Sequence, residues 1–483
     1  MSASALDGLG ESLSLLRPHD AGYASYTADV VLDGHPDAVL RPQNEPEVTR
    51  ALTEAHRHGI PVTAAGGRTS LTGSSVALEG WLLATSGMNR FLDLRSDPIT
   101  KGKVAVAEPG LFLGDLQRTV EAQGWFYPPD PTSRNEACLG ATVATNATGE
   151  DTLRYGPTRR WIRELRVVMA DGSVRTVRRS PESRPKEEKA TAGYFLNGEE
   201  IDLVIGSEGT LGVITQITVD LIPRPAGLFA GMVFFPSRRT ALEFVVGARE
   251  SRRVTPRALE LIDWASVELL GDNAEGIVWP ASALAAIVFK QEFTDARDRD
   301  DRLDAWSSFI VESQPGLAER TVIFETADDL ERLRTVRHRI PTAINEALQP
   351  FRGDGGAKMG TDWWVPYRAL PGFMDRWDEA ITGCGVPTFA FGHVGNGHPH
   401  VNFLCANRDE TDRARALILA MCRDAVGEGG GVAGEHGLGK LKRDLLLLQW
   451  PAETISRMRD VKRTWDPQGI LGRGNVFPEE DAA

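Results

Sequence analysis

Residues 392–400 read Gly392-His393-Val394-Gly395-Asn396-Gly397-His398-Pro399-His400, and a second motif, Gly434-Glu435-His436-Gly437, follows downstream. Imidazoles and a carboxylate bind borderline divalent metals. A site of two His and one Glu leaves coordination positions open for a substrate. Gly395 and Gly397 let the backbone turn and approach a ligand where a side chain would intrude. Any one of these histidines, taken alone, reads more simply as a structural hydrogen-bonding group. Three of them with a Glu and this much glycine read as a metal site. Glu435 and His436 are neighbours, so in an extended segment their side chains diverge and need not share one task.

Positioning such a site needs rigid elements. His400-Val401-Asn402-Phe403-Leu404 alternates polar and apolar as a half-buried strand does, so His398, His400 and Asn402 face one way. Near the other end, Asn44-Glu45-Pro46-Glu47 predicts a capped helix start. Val48, Ala51, Leu52 and Ala55 form its buried stripe, and Gly59 ends it. A short strand, Ile60 to Ala64, then enters the glycine-rich loop 66–75, whose successive N–H groups suit a phosphate cradle. It is neither a Walker loop nor the G-x-G-x-x-G dinucleotide fingerprint. A second small-residue tract, Leu139 to Gly149, follows Pro128-Pro129-Asp130-Pro131 and implies something flat or bulky lying against it. Leu165 to Met169 predicts a strand with its turn at Asp171-Gly172, and the charged stretch Arg175 to Lys189 predicts a solvated loop. Asp202 to Thr215 reads as two apolar strands around a glycine turn. Pro223-Arg224-Pro225 marks a domain boundary. Beyond it, strands at Leu228–Phe235, Ala285–Lys290 and Thr321–Phe324 interleave with helices at Thr240–Arg252 and Leu417–Val426, an α+β pattern. Leu441 to Trp450 reads as an amphipathic helix.

The 483 residues exceed one ordinary domain. A net charge of -13 argues against nucleic acid as a partner, and means that an anionic substrate is drawn in by local positive charge. Cys138, Cys384, Cys405 and Cys422 lie far apart with no C-x-x-C, which fits a reducing compartment and gives no iron–sulfur signature. Residues 1–7 lack the basic and apolar runs of a signal peptide, and no apolar run has membrane-spanning length. The expected location is cytoplasmic, with peripheral membrane contact allowed.

Taken together, these segments resemble the vanillyl-alcohol-oxidase-type (PCMH) flavoproteins over nearly the whole chain. Within them they resemble the FAD-linked D-2-hydroxyacid dehydrogenases, the D-lactate, D-2-hydroxyglutarate and glycolate dehydrogenase relatives. Three stretches carry the match: Gly66–Gly73, Pro128–Gly156 and, most specific, Asp202–Thr215. The resemblance implies an α+β fold. A PCMH-type FAD-binding domain would span residues 1–225, a cap domain with an antiparallel sheet flanked by helices 226–440, and a segment returning to the FAD domain 441–483. It implies FAD contacts at Gly66, Gly67, Thr69, Ser70, Leu71 and Gly73, and at Pro129, Asp130, Gly140, Ala141, Thr145, Asn146, Gly149, Tyr155 and Gly156. Glu208, Gly209, Gly212, Val213, Ile214 and Asn475 complete that set. It assigns a divalent metal, zinc with manganese or iron as alternatives, to His393, His400 and Glu435, and makes His436 the catalytic base. Asn396 stands where the pattern usually has Asp, and His398 where it has Asn. Arg337 resembles the Arg that clamps a substrate carboxylate, although Arg334 replaces a frequent Trp. Lys358 corresponds to a second such cation at altered spacing, with Asn402 alongside. Trp363-Trp364 reads as cap core.

The implied chemistry is oxidation of a small D-2-hydroxy acid. The hydroxyl proton goes to His436 and the α-hydride to flavin N5, giving a 2-oxo acid. Between His58 and His338 there is no His, so the expected FAD is non-covalent. With no cluster in the chain, electrons leave to an external protein or quinone; a homodimer is allowed. Two other readings stand beside this one: a non-haem iron oxygenase on the His/His/Glu set, and an alkyl-glycerone-phosphate-synthase-like transferase of the same fold.

Overall fold

The computed structural model describes residues 6, 9, 13–183, 185–187, 189–271 and 276–478. Apart from Leu6, the N-terminal run read as lacking a leader lies outside the described residues. The chain divides into two compact units. One comprises 1–148, 156–224 and 433–483, the other 149–155 and 225–432.

The first unit holds two sheets. The smaller orders Ser14–Leu16, Ala38–Arg41, Trp81–Ala84 and Val62–Ala65, the last three strands parallel. Its helix Glu45–His58 is capped as its sequence predicts: the Asn44 side chain accepts the Glu47 N–H, and Gly59 takes the left-handed conformation. Glu47 reaches back to the N–H of Gln43, at 2.8 Å. Val48, Ala51, Leu52 and Ala55 bury completely with Leu40, Trp81 and Leu83. The larger sheet is antiparallel and runs Phe91–Ser96, Lys103–Ala107, Val213–Pro223, Ile162–Val168, Val174–Arg178.

Three expectations for this unit need correction. Glu200–Val204 is a short helix rather than a strand, because Glu199 and Asp202 form a reciprocal capping box. Asp202 then closes onto the buried guanidinium groups of Arg179 (2.7 Å) and Arg159 (3.1 Å). The stretch 175–189 is not a solvated loop throughout. It starts in a strand, and both Arg179 and Lys189 are buried. Nor is Leu441–Trp450 a continuous helix. The Leu441 N–H goes to the carbonyl of Thr72, leaving only the turns Arg443–Leu445 and Leu446–Gln449 before Pro451.

The second unit is built on a seven-stranded antiparallel sheet. Its order is Thr321–Phe324, Gly227–Phe235, Ala285–Phe293, Ala258–Asp263, Thr388–His393, His398–Asn407, Gly355–Gly360. The helix Ala327–Leu348 covers one face, packing Leu333, Val336 and Ile340 against Phe391, Leu404, Val288 and Ile262. Trp363 is wholly buried against Phe373, ring centroids 4.7 Å apart, as cap core. Among the described residues no helix is long and apolar enough to cross a membrane.

Candidate active site

In the second unit, register places the chemistry. Ile262 pairs with Phe391, and Phe391 with His400, while His393 pairs with His398. Because side chains alternate along a strand, Glu260, His393, His398, His400 and Asn402 all project from the sheet face covered by the helix. The His393 and His400 rings meet edge to face at 5.4 Å, and both residues are buried. Glu260, 2% exposed, bridges two of the predicted groups. Its Oε1 lies 2.7 Å from His393 Nδ1, and its Oε2 accepts the Arg337 Nε–H at 3.2 Å. Arg337 is therefore a buried residue, not a surface helix charge, and its guanidinium lies 4.8 Å from the Phe391 ring centroid. Among the described residues its two terminal nitrogens have no hydrogen-bond partner. His398 is fully buried, with Nε2 3.2 Å from Asp362 Oδ1. Asn402 donates to the His400 carbonyl at 3.4 Å. Lys358 bonds Asn345 at 3.2 Å, and burial lowers its pKa. Burial, reinforced by the charge of Arg334, drops His338 to about 4, so it is neutral at pH 7 and supplies no cation.

In the first unit the three flavin-type stretches converge. The Gly-rich loop packs on the segment that leads into the small-residue tract: a Cβ on Gly67 would sit 2.2 Å from the Glu136 carbonyl. Leu139–Ala144 forms a short helix, against which a Cβ on Gly140 would strike Pro109 at 2.5 Å, and Thr145 closes it by bonding the Ala141 carbonyl. The third stretch locks on by Gly206 N–H to Val143 O (3.0 Å) and Glu208 N–H to Ala144 O (2.8 Å). Asn475 then donates to the carbonyls of Ser74 (2.9 Å) and Glu208 (3.0 Å). Val213 and Ile214 open the strand paired with Val168 and Val167. Pro129 accepts from Gln117, Asp130 pairs with Arg134, and Asn146 accepts the Arg159 N–H. The N–H groups of Arg68, Thr69, Ser70 and Leu71 have no acceptor among the described residues, and Arg68 is left-handed at φ 55°. A run of unsatisfied peptide donors in a bent loop fits the pyrophosphate of a dinucleotide. Gly149 and Tyr155 fall in the other unit, where the Tyr155 hydroxyl donates to Glu292.

Glu435 and His436 also belong to the first unit. The Ala433 carbonyl accepts the Thr191 hydroxyl at 2.7 Å, and the peptide N–H groups of Leu438 and Gly439 go to the Glu208 carboxylate. Glu435 sits 3.5 Å from the Thr148 hydroxyl, which in turn takes a bond from Lys189 Nζ at 3.1 Å. His436 Nε2 is 3.2 Å from Glu435 Oε1. Sequence reading missed Glu260, Lys189 and Asp362. Glu260 left a signal: in Ala258-Leu259-Glu260-Leu261-Ile262 it is a charge inside an otherwise apolar strand.

Residues 36–178 match the FAD binding domain family, and residues 227–476, more than half the chain, match the FAD linked oxidases, C-terminal domain. Fold and site thus define an FAD-linked oxidoreductase. The chain belongs to the FAD-linked oxidase family. It is 29% identical to a glycolate oxidase subunit of Bacillus subtilis (94% of this chain, 92% of the relative). It is likewise 29% identical to a D-lactate dehydrogenase of Archaeoglobus fulgidus (98% of each). A D-2-hydroxyglutarate dehydrogenase of Stutzerimonas stutzeri is 27% identical (92% and 91%). Among solved structures, an alkyldihydroxyacetonephosphate synthase superposes with TM-score 0.65 over 91% of this chain and 76% of its own. At 17% identity that likeness is one of fold alone.

Proposed function

We propose that the protein oxidises a small D-2-hydroxy acid to the 2-oxo acid, using non-covalent FAD and a divalent metal, zinc first, bound by His393, His400 and Glu435. The observation that carries this reading is Arg337. It is anchored through Nε to the same carboxylate that holds His393, and its terminal nitrogens are left for a ligand. A planar fork of this kind pairs with both oxygens of a carboxylate.

When bound, FAD supplies the two-electron acceptor and the metal a Lewis acid for the substrate hydroxyl. Arg337 holds the carboxylate and sets the orientation of the carbon that is oxidised. His436 takes the hydroxyl proton, so the substrate loses one proton and one hydride and becomes the 2-oxo acid. Lys358, on the strand next to that of His400, and Asn402, two residues beyond His400 on its own strand, complete the substrate contacts. Electrons then leave to an external protein or quinone, so a fast dye rate and a slow oxygen rate are expected.

The test is anaerobic mixing with D- and L-2-hydroxy acids. D-lactate, D-2-hydroxyglutarate or glycolate should bleach the flavin, and the L-acids should not. A flavin left oxidised by every acid would defeat the proposal. Acid precipitation should release the flavin; retention in the pellet would show a covalent bond.

A further inference from the structure

We infer that Glu260 is a positioning residue whose single carboxylate aligns both the metal-binding ring of His393 and the guanidinium of Arg337. The inference rests on the proposed function, in which His393 is a ligand and Arg337 the carboxylate clamp. Glu260 Oε1 meets His393 Nδ1 at 2.7 Å, and Oε2 meets Arg337 Nε at 3.2 Å. An ionised carboxylate only accepts hydrogen bonds, so it selects the tautomer with hydrogen on Nδ1 and assigns metal binding to Nε2. The other oxygen fixes the plane of Arg337 by its Nε edge. With Phe391 against that guanidinium at 4.8 Å, the edge carrying the two terminal nitrogens is the one turned to a ligand. A buried carboxylate needs compensating donors, and here those donors are the two functional groups themselves. The nearby Glu150 carboxylate is bonded by Lys290 instead, so it does not substitute for Glu260. One side chain thus ties the geometry of metal ligation to that of substrate binding, and its loss should disturb both at once.

The test compares wild type, Glu260→Gln and Glu260→Asp as FAD-loaded, metal-stripped protein titrated with zinc alone. Flavin reduction at saturating zinc is then measured with the best of D-lactate, D-2-hydroxyglutarate and glycolate. Glu260→Gln should weaken zinc binding by about 10–100-fold and raise the half-saturating acid concentration, with FAD content retained. Glu260→Asp, which keeps the charge, should recover part of both losses. Nitrogen NMR of histidine-labelled, metal-free wild type should show His393 protonated at Nδ1. Wild-type zinc affinity in the Gln variant, an Asp variant no better than Gln, or an Nε2-protonated His393 in wild type would each overturn the role of Glu260. The last readout needs no variant to fold. A wild type that reduces its flavin with the acids but takes up no zinc would instead refute the metal reading, and this role with it.

Discussion

The carboxylate of Glu208 accepts the peptide N–H of Gly439 at 2.7 Å, joining the most specific flavin stretch to the segment that carries Glu435 and His436. The neighbouring N–H of Leu438 reaches the same carboxylate at 2.9 Å. Gly439 is left-handed at φ 51°, and a Cβ there would sit 2.3 Å from the Thr72 carbonyl, so the turn admits little besides glycine. Two motifs more than two hundred residues apart are therefore one structural unit.

That pairing gives a pH signature. Burial pushes the Glu208 carboxyl up to about 7, against the two peptide donors and Lys440. Between its ordinary value and about 7, the folded protein holds a proton that the unfolded chain has released. The contribution of this group to stability is thus present at low pH and lost as pH rises through that window. Burial lowers Lys440 to about 8, so its own titration falls above the window. Glu208→Gln has no proton to lose. From about pH 5 to about pH 7.5, thermal unfolding should show the wild type losing ground to the Gln variant. Parallel midpoints across that range would reject the assignment.

Gly67→Ala should cost the protein its flavin. Its Cβ would collide with a peptide carbonyl of the segment that follows Pro131, and backbone yields less readily than a side-chain tip. The loop bearing the unsatisfied N–H groups of residues 68–71 must then shift. The flavin-to-protein absorbance ratio reads this directly, and a full complement of FAD would show that the loop tolerates the change.

Asp202→Ala should be severely destabilising. It strips the buried Arg159 and Arg179 of their shared carboxylate, and breaking a buried ion pair costs about 3–5 kcal/mol. Burial works to raise the Asp202 carboxyl, but the two arginines hold it below its ordinary range. Its stabilisation is therefore present above that range and lost as pH falls through the lowered value. Urea unfolding of variant and wild type at neutral pH is the check; a difference under about 1 kcal/mol would mean the cluster contributes only shape.

His436→Asn should lower the rate of flavin reduction by about 10²–10⁴-fold, with zinc and FAD content near wild type. Rapid reduction in the variant would move the base elsewhere, His398 being the first suspect. Loss of zinc would make His436 a ligand.

Chelation should abolish turnover and leave FAD bound, since the proposed ligands and the dinucleotide loop share no residues. His393→Ala should do the same, because removing one ligand removes much of the metal-binding energy. Full activity in demonstrably metal-free protein would exclude a metal-dependent reaction.

Much of this protein is decided locally. The Asn44 cap, the Gly59 stop and the alternation through His400 each depend on neighbours a few residues away, so the helix and the motif strand were legible in sequence. The His and Glu residues of the two motifs are legible by type as candidate ligands, and the metal they would hold stays part of the proposed function. The Asp202 helix was misread as a strand because its apolar run hides a capping box and two arginine partners distant in sequence. Lys189 looked solvated in a charged run, yet it packs inside against Thr148. Only the register between Ala258–Asp263 and Thr388–His393 sets Glu260 opposite His393, and only helix packing brings Arg337 to the same carboxylate. Residue type is fixed by sequence, but which charges neutralise one another once water is excluded is fixed by which strands and helices meet.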